Sequence, residues 1–99
     1  MKRLIRAGSN NIYSKLEQAL QGHLNQMLGD QNFKFDINLE FEDEEMCIDI
    51  DVMDSNNAIL YTGGFMLERD RLSKANLNAS AYGVVESLKE ILYDEELIK

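Results

Sequence analysis

Proline is absent from this chain of 99 residues, and cysteine and histidine occur once each, as Cys47 and His23. Without proline, nothing reads as a rigid linker or a proline-rich docking segment. One cysteine excludes an internal disulfide and suits a reducing cytoplasm, the expected location. A lone histidine has no sequence-adjacent partners for metal or catalytic work, so His23 is expected to flank a helix. No apolar run approaches the roughly 18–20 residues of a membrane-spanning helix. The N-terminal MKRLIRAG is basic, but its apolar part is too short for a signal peptide. Positive charge is scarce: 10 Lys and Arg face 18 Asp and Glu, for a formal net charge of −8. Phosphates demand a basic surface, so this balance argues against direct binding to DNA, RNA or an anionic membrane. Its natural complement is a basic protein surface or a cation.

What is present suits one folded domain. The chain is 44% apolar with four Phe and four Tyr, enough to bury a core of modest stability, on the order of 5–15 kcal/mol. Residues 1–9 read as a basic N-terminal arm. Residues 10–29 carry Ile12, Leu16, Leu20, Leu24, Met27 and Leu28 at spacings of three and four, which predicts an amphipathic helix. Ser9, Asn10, Asn11 or a Ser14–Glu17 box would cap it, and Gly29-Asp30 would stop it. Residues 33–68 read as three strands. Phe33, Phe35, Ile37, Leu39 and Phe41 alternate with polar residues, as do Met46, Ile48, Ile50 and Val52. Asp43-Glu44 is the first turn, and 54–57, rich in Asp and Asn, is the second. Gly63-Gly64 breaks the third strand, as a bulge or a close backbone approach does. Residues 73–96 read as a second helix, with either Ser73 as its cap or a later regular start, because Asn78-Ala79-Ser80 is a poor helix former, and with a fraying end at Asp94, Glu95 and Glu96, where the helix dipole disfavours acids. The order is α-β-β-β-α: an α+β fold with a three-stranded antiparallel sheet and two helices packed on one face.

That arrangement leaves the other sheet face open, and alternation makes it acidic. Residues 36–54 hold nine carboxylates (Asp36, Glu40, Glu42, Asp43, Glu44, Glu45, Asp49, Asp51 and Asp54) and no Lys or Arg. Same-face residues lie about 6.5–7 Å apart along a strand and about 5 Å apart across strands. Asp36, Glu40, Glu42, Asp49 and Asp51 therefore form a lattice expected to carry partner binding. The carboxylates at the turn would assist by steering. Cys47 and Met53 fall on the same face, as gap fillers or as apolar anchors in a charged ring.

Three uses compete for such a face. It can keep a small protein soluble, in a structural or regulatory subunit that dimerises through an edge strand. It can present hard oxygen ligands to a divalent cation. Counted from Asp49, however, an EF-hand loop fails at position 5, which is Met53, and position 6, which is Asp54. No cofactor or metal is expected. Lastly, it can occupy the Lys and Arg rows that a nucleic-acid-binding protein offers to phosphates. In size, charge and layout the chain resembles the small acidic DNA-mimic inhibitors of phages and mobile elements, including anti-CRISPR proteins. The resemblance implies a binding module that is not an enzyme and that blocks a basic groove, as a monomer or homodimer. The α-β-β-β-α order is also similar to the double-stranded-RNA-binding domain, but that family binds through basic residues and the charge here is inverted.

Overall fold

The structure, a computed structural model, describes residues 7–98, with side chains from residue 12 onward. Helix α1 spans Ala7–Leu28 and strands β1, β2 and β3 span Lys34–Glu42, Glu45–Met53 and Ile59–Glu68; helix α2 spans Leu77–Asp94. The sheet order is β1-β2-β3 and both pairings are antiparallel. This is the α+β, α-β-β-β-α architecture that the hydrophobic periodicities predict.

The core lies between the helix layer and one face of the sheet. Leu16, Leu20, Leu24 and Leu28 recur every four residues on α1 and are all buried, as are Ala81, Val84, Val85, Leu88 and Leu92 on α2. Under them lie Ile37 and Leu39 of β1 and Met46, Ile48, Ile50 and Val52 of β2. Burying each Leu or Ile side chain is worth about 1.5–3 kcal/mol, which fixes the register, since a one-residue slip would turn every such side chain to water. His23 does flank the helix interface: its Nε2 lies 3.0 Å from Asn78 Oδ1, and its ring meets Tyr82 edge to face at 5.4 Å.

Several boundaries differ from the sequence reading. Helix α1 is already running at Ala7, so Ser9, Asn10, Asn11 and Ser14 lie inside it and none is its cap. Of the expected arm, residues 7–9 are therefore helical and residues 1–6 lie outside the described residues. The stop is a 3-10 turn, Gly29–Gln31, followed by Asn32 in the left-handed region at φ 61°.

The second helix begins at Leu77, later than residue 73. Its N-cap is Asn76, and the Ser73 carbonyl accepts the Asn76 and Leu77 amides at 2.9 and 2.8 Å. Leu72, buried in the preceding 3-10 turn Arg69–Leu72, occupies the chain there. Nor does the acidic C-terminal end simply fray. Leu97 N–H donates to the Leu92 carbonyl and Glu96 N–H to that of Tyr93, with Glu96 at φ 61°. These two bonds make a Schellman closure. It is held by Ile98, which is buried, and by Leu97, which is partly buried.

Strand β3 is not broken at its glycines. Gly63 pairs with Ile50 and Gly64 with Asp49, and the irregularity sits instead between Val52 and Met53. A Cβ on Gly63 would come within 3.0 Å of the Phe65 ring and 3.3 Å of the Tyr61 ring. Here the close approach, rather than a bulge, explains the residue. Tyr61 and Phe65 consequently turn inward, Thr62 and Met66 outward.

Candidate functional site

The alternation of β1 and β2 delivers six carboxylates to the face away from the helices. Asp36, Glu40 and Glu42 come from β1, and Glu45, Asp49 and Asp51 from β2. The register sets Asp36 opposite Asp51 and Glu42 opposite Glu45, while Glu40 stands opposite Cys47 and Asn38 opposite Asp49. Glu68 extends the acidic corner from β3, opposite Glu45. Among the described residues no element covers this face: Asp36, Glu40, Glu42 and Asp49 are exposed, Glu45 and Asp51 half-buried.

Bases do little to neutralise it. From Phe35 to Glu68 the chain has no Lys or Arg. Lys34, at the first position of β1, donates to Asn57 Oδ1 at 3.1 Å. Arg69 pairs with the turn instead: its Nε donates to Glu44 Oε1 at 3.0 Å and its backbone N–H to the Glu44 carbonyl at 3.1 Å. The same guanidinium lies 5.2 Å from the Phe41 ring centroid, a cation–π contact that ties the end of β3 to the hairpin. Asp43, at φ 57°, makes the hairpin turn and is exposed.

Two of the nine carboxylates thus have structural work. Glu44 is engaged by Arg69. Asp54 caps its own turn, its Oδ1 accepting the amides of Asn56 at 2.8 Å and Ala58 at 2.9 Å. Asp51 lies between the two classes: Thr62 Oγ1 donates to its Oδ1 at 2.9 Å, which orients the carboxylate while leaving it on the open face. Asp49 has its own accommodation, since a Cβ on Gly64 would lie 3.4 Å from Asp49 Oδ1.

The face is acidic over two strands, not three. On β3 the outward positions opposite Cys47, Asp49 and Asp51 are Met66, Gly64 and Thr62. Met66 is 56% exposed and Ile59, opposite Met53, 61% exposed. Periodicity through the glycine pair did not resolve this apolar side, and Cys47 lies where acid meets apolar. Its thiol is pushed above its ordinary pKa, first by desolvation and then by the charges of Glu42, Asp49, Glu45 and Glu40. A thiolate there would add one more anion to the lattice.

A pleated sheet spreads its side chains, whereas a cation gathers oxygens within about 2.6 Å of one point. Accordingly, among the described residues no three His, Cys, Asp or Glu side chains are grouped to hold a metal ion. Nor, among those residues, is any helix long and apolar enough to cross a membrane. What the arrangement offers is an open array of negative charge on two paired strands beside exposed Met66 and Ile59. Comparison with protein families, with curated proteins and with solved structures finds no match.

Proposed function

We propose that this chain is an acidic binding module that captures the basic groove of a nucleic-acid-binding protein and so inhibits it, in the manner of the DNA-mimic and anti-CRISPR inhibitors. It works by binding, not by catalysis, in the cytoplasm. The observation that carries the reading is the outer face of β1–β2: Asp36, Glu40, Glu42, Glu45, Asp49 and Asp51 on two paired strands. Opposed like charges destabilise a sheet, so placing Asp36 against Asp51 and Glu42 against Glu45 works against folding. A complementary row of Lys and Arg would relieve that repulsion on binding. Attraction between the two surfaces would speed encounter and make it salt-sensitive. Asp43, exposed at the turn, adds to the steering, while Glu44 and Asp54 contribute less because Arg69 and the turn amides already engage them.

The test is capture from cell lysate on the immobilised chain, with duplex DNA as competitor. The expected result is retention of basic nucleic-acid-binding proteins that DNA displaces and moderate salt elutes. Retention indifferent to both DNA and salt would refute the proposal.

A further inference from the structure

Strands β1 and β3 are both sheet edges, and they are protected very differently. An edge strand offers unpaired backbone N–H and C=O groups to any passing strand, and folded proteins usually blunt it with charges, proline or bulges. Strand β1 has Lys34, Asp36, Glu40 and Glu42 along its length. Strand β3 has no charged residue from Ile59 to Leu67, and the chain has no proline. Its irregularity is confined to the end where it pairs with Val52 and Met53. Among the described residues, no backbone hydrogen bond outside the β2–β3 ladder reaches those nine positions. Ile59, Leu60 and Met66 are exposed along the strand. Beside it runs a shallow groove between Phe65, Met66 and Leu67 on one side and Ala79, Gly83 and Ser87 on the other, with Arg71 of the following 3-10 turn also in its lining. Ala79, Gly83 and Ser87 fall one turn apart on α2, so its flank there is low and a neighbour can come close.

We infer that β3 is a self-association edge: a second copy of this chain adds its own β3 antiparallel to the first. The inference does not rest on the acidic face having a partner. Two-fold pairing suits this strand because it is uncharged and apolar, so it matches itself. With the axis at Gly63, Tyr61 lies across from the partner's Phe65 and Thr62 across from the partner's Gly64, and the regular pairing ends at Leu60, which the β2–β3 register skips. No like charges meet, and the small Gly63 and Gly64 occupy the centre. The net charge of −8 on each copy does not oppose this geometry strongly. The acidic strands become the flanks of a six-stranded sheet, with the two β2 strands three spacings, or about 14 Å, apart. That exceeds the Debye length of about 8 Å at physiological ionic strength. A ten-residue strand is about 33 Å long. On a body whose thinnest extent is 20 Å, the contact is on the order of 650 Å² per copy, close to the roughly 800 Å² of a standard interface.

Sedimentation velocity of the full chain across roughly 1–300 µM, a range of moderate affinities, tests the inference. The expected result is a concentration-dependent rise from the 11.4 kDa monomer towards twice that mass. Replacing Leu60→Lys and Met66→Lys together, which puts positive charge at both ends of the exposed edge in each copy, should raise the dimer Kd at least about tenfold. Hydrogen exchange on the unmodified protein supplies a readout that survives if the double variant does not fold: β3 amides should become more protected as concentration rises. A monomer at every concentration would overturn the inference. So would a dimer whose β3 amides exchange at a concentration-independent rate, or one indifferent to a folded double variant.

Discussion

Replacing Asp36 by Asn removes one charge from the opposed pair Asp36–Asp51 with almost no change of shape. Opposed Cβ atoms in an antiparallel pair lie about 4.5–5.5 Å apart, and two like charges about 5 Å apart in water repel by about 0.8 kcal/mol. Asp51 cannot readily swing away, because the Thr62 hydroxyl holds it at 2.9 Å. Asp36 is the better position to change for the same reason: substituting Asp51 would disturb that bond as well. In about 10 mM salt the Debye length is near 30 Å, so most of the repulsion survives; at 1 M it is near 3 Å, and only about 0.2 kcal/mol remains. For a domain of this size 1 kcal/mol corresponds to about 4–8 °C in Tm. Asp36→Asn should therefore raise Tm by about 3–5 °C at low salt and by about 1 °C at 1 M, read by circular dichroism melts. Glu86→Gln, on the exposed side of α2, removes the same charge from the opposite layer and should give no comparable gain. Equal gains from the two variants would show that only net charge matters. A gain from Asp36→Asn that survives 1 M salt would refute the electrostatic reasoning.

Other consequences follow from particular residues. Glu96→Gly should stabilise the chain by about 1 kcal/mol in urea unfolding, because Glu96 occupies the left-handed position of the Schellman closure. Gly63→Ala should cost about 1–3 kcal/mol, since its Cβ would meet the Phe65 ring at 3.0 Å, while Gly64→Ala, with only Asp49 Oδ1 at 3.4 Å, should be tolerated; parallel urea titrations would separate them. Cys47 should react with iodoacetamide more slowly at neutral pH than a free thiol, with its rate rising only above the ordinary thiol range, because desolvation and Glu42, Asp49, Glu45 and Glu40 disfavour the thiolate. The sign for stability follows: with the folded pKa raised, the Cys47 contribution is complete below the unfolded thiol pKa and is lost as pH rises through the folded one.

The sequence made the fold legible because two periodicities are clean. A four-residue repeat of Leu16, Leu20, Leu24 and Leu28 can bury only as a helix, and the alternation of Phe33 to Glu42, resumed from Met46 to Val52, only as strands. The same alternation places Asp36, Glu40, Glu42, Asp49 and Asp51 on one face, where the structure has them. What it left obscure is long-range or backbone-determined. Arg69 reaches Glu44 from 25 positions away, and nothing local announces that pair. Asp54 looks like its neighbours in composition, yet its carboxylate is consumed by two amides of its own turn. The glycine pair masks the parity of β3, and with it the one strand of the open face that is not acidic. The tail departs from its expected fraying because dipole electrostatics, worth about 0.3–1 kcal/mol, yields to burial of Leu97 and Ile98.

The proposed role requires that the β1–β2 lattice serve capture and not folding. The most direct measurement pairs two readouts on one variant, Glu40→Lys with Asp49→Lys; both positions are exposed and neither side chain takes part in a hydrogen bond among the described residues. The urea midpoint should equal or exceed that of the unmodified chain, and the salt-eluted, DNA-displaced partners should be lost. Undiminished capture by the folded variant would contradict that role, as would a loss of capture matched by an equal loss of folding.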